Sequence, residues 1–472
     1  MDQVSEIIAE SSIGQKEYVK YVTKSANEKN KCYMSFEADL SEVNIEIIEK
    51  SLAFMVKRHE SLRTTFSVIN GEIKQVIKSY DKDIFKLNCF ELHNEKDFLY
   101  TLKDIYEKAD SILSNLDQGP LVRFFLLKKN QSDYFFSFLI HHIICDAWSL
   151  RLIEQELFEI YTSYLKGEEP KLVPLKFQLK DYCNHQNLHL NENKMQLGNF
   201  WINRLKGFKN ILKIEDLYKS YAIRHYDLLQ AEAAGKFNTA EVLTEVLNKE
   251  ESAMFFSKIV DHNFFGIKEL AEQKHYSVSA ILYTSFYLLI FIYARKKNIL
   301  LAALIADRGK QENKYLIGCL LGGTYLPINI QEESIIDDLI EKVFSILLEG
   351  VQNVVYSHDF LGINEAELRV NCDMYVNYIS SDEPLNIDES QLNSKEHKPD
   401  EGIHYAMNCL LNEYSDGVTI RWRYNKSLFA KELIEDMVEC HEGIIDCLLK
   451  NDNCTLRDIA SILKLENGIA EI

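Results

Sequence analysis

The sequence predicts an α+β protein made of two related halves, on three observations. Apolar runs of strand composition alternate with stretches of helical period along the whole chain. The order of elements after residue 250 broadly echoes the order in the first half. At 472 residues the chain is too long for one ordinary core, since about 100 to 200 residues per domain is usual. We therefore expect an N-terminal lobe over residues 1–185, an inter-lobe connection and excursion over 186–250, and a C-terminal lobe over 251–472.

In the first half, Cys32–Phe36 reads as a strand. Ile45, Ile48, Leu52, Met55 and Val56 share one face of a helix that Ser41 is placed to cap. That helix runs into Arg58-His59-Glu60-Ser61-Leu62-Arg63-Thr64-Thr65-Phe66, a charged helix end followed by a strand. Gly71 sits in a hairpin between Phe66–Ile69 and Ile73–Ile77. Residues 97–115 read as a helix, Gly119-Pro120 breaks the chain, and Leu121–Leu127 pairs with the aromatic, β-branched run Asp133–Ile140. Ile153, Leu157, Ile160, Tyr161 and Tyr164 then recur at helical spacing, with Gly167 as the stop.

From 167 to 250 the pattern loosens. The polar stretch Asn184–Lys194 reads as linker or surface, with a short helix around Phe200-Trp201, and residues 212–250 read as an excursion. The second half follows with a strand at 253–260, helices at 264–273 and from 278, and strands at 298–306 and 324–330. A helix at 336–354, a strand near 373–379, an antiparallel pair at 404–413 and 417–424, and a helix at 430–449 complete it.

With 53 Lys and Arg against 72 Asp and Glu, the net charge of −19 argues against nucleic acid as partner, because a polyanion is repelled by such a field. The ten cysteines show no Cys-x-x-Cys pair and no metal-ligand spacing, so reduced, packed thiols are expected and no metal. The N-terminus lacks the basic and apolar regions of a secretory signal, and Ala280–Ala294 is shorter than the ~20 residues of a spanning helix. We expect a buried core helix there, a cytoplasmic protein, and no membrane partner.

The chain is organised around His141-His142-Ile143-Ile144-Cys145-Asp146-Ala147-Trp148-Ser149. Two adjacent imidazoles where a strand ends and a helix begins are an odd choice for packing, and such a turn can project side chains into a cavity while both ends stay held. Trp148 and Ser149 are expected to pack and cap the helix.

Several separated segments together resemble the condensation domains of nonribosomal peptide synthetases, which have the chloramphenicol-acetyltransferase-like fold. The family's His-His-x-x-x-Asp-Gly is matched by His141 to Asp146, with Ala147 in place of glycine. Arg58 to Phe66 matches Arg-His-Glu-x-Leu-Arg-Thr-x-Phe at every specified position. Weaker echoes at Asp181-Tyr182, Phe200–Leu205, Ala306-Asp307-Arg308 to Gly318, and Tyr424-Asn425 with Leu428-Phe429 extend the likeness over roughly 10–460. Departures are Gly318–Thr324, which lacks an asparagine many members have, and His358-Asp359, which is all that remains of a His-Gln-Asp pattern.

The resemblance implies two lobes in a V with a central tunnel. It implies a condensation-type acyltransferase that joins a carrier-bound acyl or aminoacyl thioester to an amine, with ester formation, acyl-CoA use or a catalytically silent docking role as alternatives. His142 would be the catalytic residue. His141, Asp146 and Ala147 would support it, and Arg308 of the other lobe would pair with Asp146. The chain would bind no cofactor of its own, its substrate riding on phosphopantetheine. Leu321-Gly322-Gly323-Thr324 is followed by Tyr325 rather than a modifiable serine, so an acyl or peptidyl carrier protein is expected to come in trans to a free-standing enzyme.

Overall fold

A computed structural model describes residues 6–24, 33–92, 97–208, 252–294, 296–362, 374–380, 407–426, 429–450 and 454–462. They fall into two compact units. The described parts of Met1–Lys194 and Ala306–Leu321 belong to the first, and those of Met195–Ile305, Gly322–Pro384 and Gly402–Ile472 to the second.

The first unit opens with β1 (Ile7–Glu10), α1 (Ile13–Lys24), β2 (Tyr33–Ser41) and α2 (Ile45–Arg58). Then come β3 (Thr64–Ile69), β4 (Glu72–Ile77), β5 (Leu87–Glu91), α3 (Phe98–Leu113), β6 (Val122–Lys128), β7 (Asp133–His141) and α4 (Ala147–Leu165). The hairpin β3–β4 turns at Asn70 and Gly71, with φ of 52° and 81°, the left-handed pair that a two-residue loop needs. β1, β4 and β3 form a small sheet in that order, and β2, β7, β6 and β5 a larger one.

β7 is apolar on both faces between Tyr134 and Ile140, apart from Ser137, because both faces are covered. Phe136, Phe138 and Ile140 meet α2 and α4 residues such as Leu52, Met55 and Ile153 in one core, while Phe135 and Leu139 meet Leu102, Ile105 and Tyr106 of α3 in another. Ser137 points to the second face as well, where Tyr106 Oη lies 2.6 Å from both Ser137 Oγ and Glu37 Oε1.

α5 (Leu179–Arg204) corrects the sequence reading of Asn184–Lys194 as linker or surface, and the short helix near Trp201 is its last turns. The helix is polar on most sides, so no broad apolar period announces it. Only a narrow stripe through Leu179, Tyr182, Cys183, Gln186, Leu190, Leu197, Gly198 and Trp201 is buried. A second correction concerns α2, whose cap is Asn44 rather than Ser41: Asn44 Oδ1 accepts from Ile47 N at 3.1 Å.

The second unit contains β8 (Ser252–Val260), α6 (Asp261–Lys274), α7 (Val278–Ala294), β9 (Asn298–Ala306), β10 (Leu321–Asn329), α8 (Ile336–Gln352), α9 (His358–Leu361), β11 (Met374–Ile379), β12 (Met407–Glu413), β13 (Gly417–Asn425), α10 (Lys431–Lys450) and α11 (Leu456–Ile462). Its six-stranded sheet runs β10-β9-β11-β12-β13-β8, and the expected antiparallel pair is β12 with β13. α7, the apolar run, is buried along nearly its whole length, as a core helix should be. No single described helix is long and apolar enough to cross a membrane. The predicted excursion over 212–250 and Leu428 lie outside the described residues.

Candidate active site

The histidine turn is held from inside the first unit. β7 ends at His141, whose backbone N–H donates to Leu121 O at 2.8 Å. The His141 ring then turns back on its own chain, Nδ1 accepting from Ile143 N at 3.1 Å. With Nδ1 an acceptor, the proton of the neutral ring sits on Nε2. Tyr18 meets the ring edge-on at 5.6 Å. Burial, reinforced by neighbouring His142, pushes the His141 pKa down to about 3, so the ring stays neutral across the physiological range. His142 opens a single 3-10 turn, His142–Ile144, and is only half-buried.

Asp146 caps α4, its Oδ1 accepting from Ser149 N at 2.8 Å, so the cap falls three residues before the expected Ser149. Its carboxylate is fully buried and receives Arg308 Nη2 at 2.8 Å on both oxygens, with Leu320 N at 3.1 Å on Oδ2. Burial alone would raise this carboxyl, but the Arg308 guanidinium and the Ser149 N–H hold it below the usual carboxylate range. Arg308 also donates to Leu316 O at 2.5 Å and Asn313 O at 2.8 Å. The loop that carries it, Ala306–Leu321, groups with the first unit. Ser149 is free to bridge that loop instead of capping: its hydroxyl donates to Gly318 O at 2.8 Å and accepts from Gly318 N at 3.0 Å. Gly318 leaves no room for a side chain, as a Cβ there would lie 2.4 Å from Leu179 Cδ1.

Ala147 is the first residue of α4 and is absent from the positive-φ positions, so alanine meets no left-handed strain at the place where the family pattern has glycine. The structure thus brings His141, His142, Asp146, Ala147 and Arg308 to one turn.

The second matched stretch turns out to be a clamp on the same helix. Arg58 donates to Glu156 of α4 through Nε at 3.0 Å and Nη2 at 3.1 Å, and His59 Nε2 lies 2.7 Å from Glu156 Oε2. Burial would raise Glu156, but His59 and Arg58 hold it below the usual range. Glu60 pairs with Lys180, and Arg63 donates to Lys78 O at 2.6 Å. Glu156 was missed from sequence. A lone acidic residue among the apolar positions of a buried helix face was the signal for it. Three further histidines, His185, His358 and His441, lie beside the Phe177 ring at 5.1 Å, Tyr325 Oη at 2.5 Å and Ser285 Oγ at 2.8 Å respectively.

Among the described residues, no three His, Cys, Asp or Glu side chains converge as a metal site requires. The arrangement offers acid–base chemistry from one half-exposed imidazole on a rigid turn.

Residues 11–467 match the family model described as Condensation domain. A linear gramicidin synthase of Brevibacillus parabrevis is 25% identical over 428 residues, which are 87% of this chain and 8% of that protein, so the chain spans under a tenth of that relative's length. Among solved structures, the condensation domain from Monacolin K polyketide synthase MokA superposes with a TM-score of 0.72 at 13% identity, covering 95% of this chain and 99% of that one. The X-domain from teicoplanin biosynthesis superposes with a TM-score of 0.71 at 15% identity, covering 95% and 96%. At these identities the two structures share the fold.

Proposed function

The chain belongs to the condensation-domain family of nonribosomal peptide synthetases, and from that membership and the geometry of its histidine turn we propose that it forms an amide between an acyl or aminoacyl thioester, carried on the phosphopantetheine of a carrier protein, and an amine acceptor. One observation carries the reading. Of the titratable side chains in the motif, His141 is buried and tied to its own backbone and Asp146 is locked to Arg308, while His142 alone keeps partial exposure.

The chemistry follows from what the amine needs. An α-amine with a pKa of ~8 is mostly ammonium at neutral pH, and only its neutral form attacks a carbonyl. The His142 imidazole accepts a hydrogen bond from the attacking nitrogen and, as the C–N bond forms, takes its proton. When the tetrahedral intermediate collapses the C–S bond breaks, and the proton ends on the departing thiol. Holding the nitrogen in line lowers the barrier beside the proton transfer, which is why a turn held in shape matters. His141, Asp146, Ala147 and Arg308 serve by holding that turn in shape.

The test mixes candidate acyl-carrier thioesters with amines and reads product by mass spectrometry for the wild type and His142→Ala. Product should vanish in the variant while its melting curve stays in place. Equal product from both proteins would overturn the assignment, and so would a wild type that binds carrier protein but yields no product with any donor.

A further inference from the structure

We infer that Gln15, from the first turn of α1, is a positioning residue for His142. Its Nε2 donates to Ile143 O at 3.3 Å, across 128 residues of sequence, and so grips the residue that follows His142. Three polar groups of the main chain are thereby tied around the imidazole. Ile143 N–H goes to His141 Nδ1, Ile143 C=O receives Gln15, and His142 C=O receives Cys145 N at 3.2 Å. Removing Gln15 frees the C=O of the Ile143–Ile144 peptide, the second after His142, so the turn that carries the imidazole is held by the His141 and Cys145 bonds alone and gains freedom to shift.

The amide of Gln15 has one possible orientation. Its Oε1 receives Ser12 N at 3.0 Å, Gln75 Nε2 at 3.4 Å and Cys183 Sγ at 3.6 Å, so three donors face the oxygen and the NH2 must face Ile143 O. Gln75 is itself fixed, because its Nε2 also donates to Glu10 O at 2.8 Å. Gln15 N in turn donates to Ser12 Oγ at 3.0 Å, which closes a reciprocal capping box at the start of α1. Gln15 is 3% exposed and Gln75 and Cys183 are fully buried, so water does not compete for these bonds. The Ser12-x-x-Gln15 spacing is thus a helix start whose second member has a further task at the histidine turn.

The rate consequence rests on the function proposed above, but the positional one does not, and the experiment separates them. Carbethoxylation of His142 by diethyl pyrocarbonate, read by peptide mass spectrometry, reports the exposure and orientation of the imidazole with no substrate. Gln15→Met removes the donor, Gln15→Glu keeps the size and the cap acceptor and loses the donor only where its carboxyl is ionised, and Ser12→Ala weakens the cap while leaving the donor. Gln15→Met should change the His142 labelling rate several-fold and lower kcat about tenfold with little change in KM, as a small misplacement of a catalytic group does, and Gln15→Glu should approach it as pH rises and its carboxyl ionises. Ser12→Ala should lower the melting temperature and leave labelling and kcat near wild type.

Unchanged labelling in the folded Gln15→Met protein, which has no donor at any pH, overturns the inference. So does a change in Ser12→Ala as large as in the Gln15 variants, since the effect would then come from helix stability. Altered labelling with no turnover from any protein, wild type included, would keep the tether and discard the amide-forming reading.

Discussion

A histidine with a strongly depressed pKa lies buried in each unit, and the two differ in what lies beside them. His141 of the first unit and His441 of the second are both pushed down to a pKa of about 3 by burial. His441 sits on α10 between Phe286, 4.7 Å away, and Trp422, 5.6 Å away. Its partner Ser285 donates its hydroxyl to Leu282 O at 2.7 Å, so the imidazole N–H donates to Ser285 and no nucleophile is activated. His141 ends a strand, ties down the next peptide, and is followed by a half-exposed second imidazole. A buried, neutral histidine is therefore core material in both units. What sets the first apart is the neighbouring, half-exposed ring on a turn that buried polar bonds hold.

The largest effect is expected where that turn is unlocked. Arg308→Ala should cost about 3 to 5 kcal/mol, because it strands the Asp146 carboxylate in a buried place, and denaturant unfolding measures it. The same variant should also slow the reaction. An unchanged midpoint would mean that the pair does not hold the turn.

Glu156→Gln should cost less, since Arg58 retains Val173 O at 2.6 Å and is 12% exposed. This variant should leave carbethoxylation of His142 unaltered, which separates the clamp on the middle of α4 from the lock at its start.

His141 and His441 should act alike on stability against pH. Their folded pKa lies below the ordinary value near ~6.5, so as pH falls through that value the unfolded chain takes up protons that the folded chain refuses. Stability is intact above about pH 6.5 and is lost below it, by about 2 kcal/mol per histidine between pH 7 and 5. His441→Phe should remove one share of that slope without touching turnover at pH 7. A slope unchanged in this variant would place the acid sensitivity elsewhere.

The smallest effect is expected at Ala147. Because this residue is the first of α4 and not left-handed, Ala147→Gly should lose up to about 1 kcal/mol or be neutral, with no gain in rate. A clear rise in activity would show that the turn needs a glycine after all.

Much of the fold was legible because its elements carry their own pattern. α2 and β7 could be read from period and composition, and the His141–Asp146 and Arg58–Phe66 stretches pointed to a family without any structure. α5 was read only in part, since a polar helix with a narrow buried stripe has almost no period to detect. The cap of α4 was misplaced for a different reason. Asp146 and Ser149 are both good caps by type, and only Gly318 beside the Ser149 hydroxyl leaves the task to Asp146.

Residue order alone says which faces are apolar, where strands and helices alternate, and which stretch bears the paired histidines. Tertiary structure alone decided how the work is divided there. It placed Arg308 on Asp146 across 162 residues, Gln15 on Ile143 across 128, and Arg58 on Glu156 across 98. The physical reason is that a periodic pattern encodes the face a residue shows, whereas a buried polar group is satisfied by whichever distant segment the fold brings against it.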